Sequence, residues 1–84
     1  MFKNKTQTGK CNISGDNIRR IRLELQPHTS QRALADRLQL YGMDLDKNAI
    51  QRIESGQRFV TDIELKAISQ VLDVSVDVLI QKNE

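Results

Sequence analysis

Apolar side chains recur along most of the chain at three- and four-residue intervals, broken by short polar stretches, a pattern that predicts short amphipathic helices. Ile18, Ile21 and Leu25 share one face of a first helix, which begins near Asp16, with Ser14 and Asp16 offering N-cap oxygens, and stops before Pro27. Ser30 suits the N-cap of a second helix, "QRALADRLQLY", where Leu34 and Leu38 lie four apart beside Ala35 and Tyr41 and Gly42 can end it. "MDLD" connects this to a third helix, capped by Asp46 and stopped by Gly56. Thr61 and Glu64 make a T-x-x-E capping box, so "DIELKAISQVL" reads as a fourth helix with Ile63, Ala67, Val71 and Leu72 as its buried stripe. The last apolar stretch, "VSVDVLI", alternates as a strand would. Ser75 and Asp77 nevertheless suit a helix start, and a lone strand would have nothing to pair with. The expectation is therefore an all-α fold with a short fifth helix.

The third helix, within "DKNAIQRIESGQRF", differs from the others in carrying few apolar residues. At about 100° per residue, Ala49, Ile50 and Ile53 gather on one side, while Lys47, Asn48, Gln51, Arg52 and Ser55 fall within an arc of about 140° on the other. That arc is rich in hydrogen-bond donors and contains no acid, because Asp46 and Glu54 lie outside it. Such a face is either ordinary solvated surface or a face that reads another molecule.

Length and charge narrow the choice. Eighty-four residues make one domain, too small to enclose a substrate. Residues 1–14 are polar, lack periodicity and hold three lysines, which predicts a flexible arm ahead of a folded domain at 15–81. The net charge of +2 is uneven: residues 1–60 carry eleven Lys or Arg against six Asp or Glu, and residues 61–84 carry two against five. The basic part includes the third helix, so a polyanion would be attracted to that side. Phe2, Tyr41 and Phe59 are the only aromatics, which argues against a single-strand-binding fold that stacks bases on aromatic platforms.

Other classes find little support. The longest apolar run, "VLI" at 78–80, cannot span a membrane, and the polar N-terminus does not resemble a signal peptide. Cys11 alone can form neither an intramolecular disulfide nor a cysteine zinc cluster, which fits a reducing cytoplasm. His28 is the sole histidine, and it reads as a loop residue, so no Ser-His-Asp constellation is assembled. The four glycines fit neither a phosphate-binding loop nor a dinucleotide fingerprint, and no cofactor or metal is expected.

The stretches "NIRRIR", "SQRALADRL", "AIQRIESGQR" and "LKAISQVLDVSVDVLI" together resemble the helix-turn-helix domains of phage repressor and Cro type, the xenobiotic-response-element-like regulators. The resemblance runs from about Ile13 to Ile80 and implies a five-helix, lambda-repressor-like bundle. It makes the third helix a recognition helix, with Lys47, Asn48, Gln51 and Arg52 reading base edges of double-stranded DNA in the major groove. It places Gln31, Gln57 and Arg58 against phosphates and pairs Glu54 with Arg22 as a scaffold. It also implies a transcriptional regulator, most simply a repressor occupying an operator in a bacterial cell or a phage-infected host, that binds as a homodimer; Val76, Leu79 and Ile80 are the candidate contact, although burial in the core explains those residues equally well. The alternative is an antitoxin or adaptor that uses the same fold to bind protein. One feature departs from the family: Ile50 follows Leu38 by twelve positions instead of about seven. The extra residues, within "QLYGMDLD", must lengthen the second helix, enlarge the turn, or both.

Overall fold

A computed structural model describes residues 9–81, and five helices form among them: α1 (Gly15–Glu24), α2 (Gln31–Gln39), α3 (Lys47–Ser55), α4 (Asp62–Leu72) and α5 (Val76–Leu79). No strand occurs among the described residues, so the alternation in "VSVDVLI" does not produce one. Most helix starts are set by local chemistry. Ser30, Asp46, Thr61 and Ser75 each accept a backbone N–H three residues on, and Glu64 returns a bond to the Thr61 N–H to complete the capping box. Each such cap contributes on the order of 1 kcal/mol. The start of α1 is the exception. The Ser14 side chain makes no capping bond, and the Gly15 N–H donates instead to Oδ1 of Asn12 at 2.8 Å.

α3 packs against α1 and α2, α4 packs against α2 and α5, and α5 also meets α1. The core between them consists of Ile18, Ile21, Leu34, Ala35, Leu38, Leu45, Ile50, Ile53, Ala67, Ile68, Leu72 and Leu79. The expected stripe of α4 needs one correction. Ile63 is 67% exposed, and Ile68 is fully buried in its place. At about 100° per residue Ile63 lies roughly 140° to 180° around the helix from Ile68 and Leu72, so one helix cannot bury all three. Tyr41, expected on the inner side of the second helix, is half exposed in the turn that follows it.

The extra residues between α2 and α3 enlarge the turn and do not lengthen the helix. After Gln39 the chain closes a final turn in which the Gly42 N–H donates to the Gln39 carbonyl and the Met43 N–H to the Leu38 carbonyl, each at 3.0 Å. Gly42 sits at φ +80°, the left-handed conformation this closure requires. Residues 43–46 then cross to α3, held down by Leu45, which is 4% exposed within the core.

The expected flexible arm at residues 1–14 falls mostly outside the described residues, which begin at Gly9. Within it, Cys11 and Asn12 are hydrogen-bonded to the end of α3 and to the loop after it. Composition does not reveal such long-range bonds.

Candidate nucleic-acid interface

α3 presents two opposite chemistries. Ile50 and Ile53 are buried against the core and Ala49 is half-buried, whereas Lys47, Asn48, Gln51, Arg52 and Ser55 are exposed. The side chains of Lys47, Asn48, Gln51 and Arg52 make no hydrogen bond or ion pair with any described residue. The helix ends in the same kind of closure as α2: Gly56, at φ +82°, donates to the Ile53 carbonyl, and the Gln57 N–H donates to the Arg52 carbonyl at 2.8 Å.

Behind this face lies a buried polar cluster. Nε of Arg22 donates to Glu54 Oε2 at 2.7 Å and its Nη2 to Oε1 at 2.9 Å, a two-pronged pair with both side chains at most 7% exposed. The remaining Arg22 nitrogen, Nη1, donates to the Thr29 carbonyl at 3.0 Å. The structure thus brings Arg22 and Glu54 together across the α1–α3 contact. Gln31 joins the same cluster, its Nε2 donating to Glu54 Oε1 at 3.0 Å. The side-chain amide that the sequence suggested for phosphate is therefore engaged within the protein, while the first backbone N–H groups of α2 have no partner within the helix.

Arg58 is engaged as well. Its Nη1 and Nη2 donate to Glu64 at 3.0 and 2.9 Å, and Nη1 also reaches the Phe59 carbonyl, so the loop after α3 is tied to the first turn of α4. Gln57, in contrast, is exposed. The bond from Arg58, joined by those from Thr61, holds the Glu64 carboxyl below the usual carboxylate range against the opposing effect of burial. The same pairing raises Arg58. Because the folded pKa of Glu64 is lowered, its contribution to stability is fully present above the unfolded carboxylate pKa and is lost as pH falls through the folded one. Glu64→Gln is therefore expected to be less stable than the parent near pH 7, with the two converging as acid is added. Urea unfolding at a series of pH values measures this, and a difference that stays constant into strong acid would contradict it.

Among the described residues no group of His, Cys, Asp and Glu is arranged to hold a metal ion, and no helix is long and apolar enough to cross a membrane. The chain matches the helix-turn-helix family model of Xre/Cro type over residues 18–79, a stretch that begins in α1 and ends with α5. The chain belongs to this helix-turn-helix family. No curated protein and no solved structure matches it. The family consists of DNA-binding transcription regulators, and it is not a class of enzymes.

Within this helix-turn-helix, α2 and α3 are the two helices of the motif, and the enlarged turn between them is where the chain departs from the usual spacing. Two asparagines that periodicity could not single out tie sequence-distant parts of this fold together. Asn17, 1% exposed, donates from Nδ2 to the carbonyls of Leu79 and Gln81, which fastens the end of α5 to α1. Asn12 does the equivalent at the end of α3. Of the two readings open for the C-terminal apolar residues, Leu79 takes core burial, being fully buried, while Ile80 is exposed and Val76 half-buried. His28 is exposed in the α1–α2 loop.

Proposed function

We propose that the chain is a sequence-specific double-stranded DNA-binding regulator that inserts α3 into the major groove and represses transcription by occupying an operator. The observation that supports this most is the outward face of α3. Its four polar side chains are exposed and have no partner among the described residues, on a helix whose other side is fixed by core packing and by the Arg22–Glu54 pair. Lys47 and Arg52 can donate to guanine O6 and N7, and Asn48 and Gln51 can pair with adenine N6 and N7. Phosphates are met by Gln57 and by the first backbone N–H groups of α2 at Gln31 and Arg32. Arg58 contributes less than its charge suggests, because two of its nitrogens already hold Glu64.

An adaptor that bound protein through α3 would place apolar or aromatic anchors on the outward arc, and the arc has none. Two copies on a two-fold-symmetric site would double the base contacts, with the exposed end of α5 at Ile80 as the meeting point. Selection of bound duplexes from a random pool tests the reading. The expected result is a recovered motif of a few adjacent base pairs, repeated with two-fold symmetry. A pool that stays random after selection would overturn it.

A further inference from the structure

Residues 10–15 pass over the C-terminal end of α3, and Asn12 makes the central connection. Its Nδ2 donates to the Ile53 carbonyl at 3.1 Å, in the last turn of α3, and to the Arg58 carbonyl at 2.8 Å, in the loop that leaves it. Its Oδ1 accepts from the Gly15 N–H, the first residue of α1. One side chain therefore joins the start of α1 to the end of α3 and to the loop that leaves it, 41 and 46 residues away in sequence. The Cys11 N–H adds a fourth bond, to the Gly56 carbonyl at 2.8 Å.

These bonds add a second directional hold on the last turn of α3, beside the Arg22–Glu54 pair. Ile50 and Ile53 hold the helix by apolar packing, which has no preferred bond direction and tolerates a small tilt or roll. Hydrogen bonds to backbone carbonyls do not, since they weaken steeply once distance and angle leave a narrow range. A two-pronged base contact has the same narrow tolerance, so a slight change in the angle of α3 would spoil it while leaving nonspecific attraction to phosphate nearly intact. Asn12 is itself only partly buried and lies outside the apolar core. The geometry points to Asn12 as a positioning residue for DNA recognition: it holds the last turn of α3 at the angle at which Lys47, Asn48, Gln51 and Arg52 meet base edges, and so governs sequence preference more than affinity for duplex DNA in general. This inference rests on the reading of α3 as the recognition helix.

The test compares two duplexes, one carrying the motif recovered by selection and one with the same base composition scrambled. Binding of the full chain to each is followed by fluorescence anisotropy, at a temperature where circular dichroism shows parental helix content. Asn12→Ala is expected to lower affinity for the selected duplex about tenfold and for the scrambled duplex less than about twofold. Asn12→Asp keeps the acceptor for Gly15 but turns a carboxylate on two carbonyl oxygens, and its loss of preference is expected to be at least as large. Equal losses on both duplexes, no loss on either, or failure of both variants to fold would overturn the positioning role. Arg52→Ala, measured in parallel, separates this inference from the reading beneath it. If Arg52→Ala loses preference and the Asn12 variants keep it, only the positioning role fails. If all of them keep it, α3 is not the recognition helix.

Discussion

Glu54→Ala is expected to lower the stability of the fold by about 3 to 5 kcal/mol, because it strands a buried arginine without its counter-charge. Arg22 is 7% exposed, and two of its nitrogens are spent on Glu54, so among the described residues the acceptor left to it would be the Thr29 carbonyl. Gln31 would lose its partner too, which loosens the start of α2 as well as the α1–α3 contact. Arg22→Ala leaves the complementary fault, a buried carboxylate bonded only by an amide. A double-mutant cycle read by urea unfolding separates the pair from its surroundings. Strong coupling is expected, and additive losses would show that the two residues do not act as a unit.

Gly15→Ala is expected to be nearly as damaging, at the upper end of the roughly 1 to 3 kcal/mol typical of overpacking. A Cβ at Gly15 would overlap the Ile53 carbonyl oxygen and lie 3.0 Å from the Glu54 carbonyl. Both obstacles are backbone atoms of α3, so relief requires α1 and α3 to move apart. Alanine is otherwise the better helix former, by about 1 kcal/mol, so a variant more stable than the parent by about that amount would show that the close approach carries no weight. Thermal unfolding followed by circular dichroism decides between these outcomes.

The residues involved also show what the sequence could reveal. Ser30, Asp46, Thr61 with Glu64, and Ser75 act within three residues of themselves, so their helix starts were legible from local chemistry alone. The two faces of α3 were legible for a similar reason, since apolar and polar side chains separate at the helical period. Ile63 was misplaced because the rotational setting of α4 depends on what it packs against, and several apolar positions compete for the same side. Gln31 and Arg58 looked free for phosphate because the positions of Glu54 and Glu64 relative to them follow only from the fold. Asn12 and Asn17 gave no signal, as their carbonyl partners lie 41 to 64 residues away and carry no sequence mark.

The central claim is that the outward face of α3 reads DNA sequence, and it is tested most directly by repeating the duplex selection with Asn48→Ala and Arg52→Ala. Neither side chain has a partner among the described residues, so stability is expected to change little. Each variant is expected to lose about 1 to 3 kcal/mol on the parental motif and much less on random duplex, with preference relaxed at one or two base pairs. Recovery of the unaltered parental motif by both variants, at parental affinity, would contradict the account.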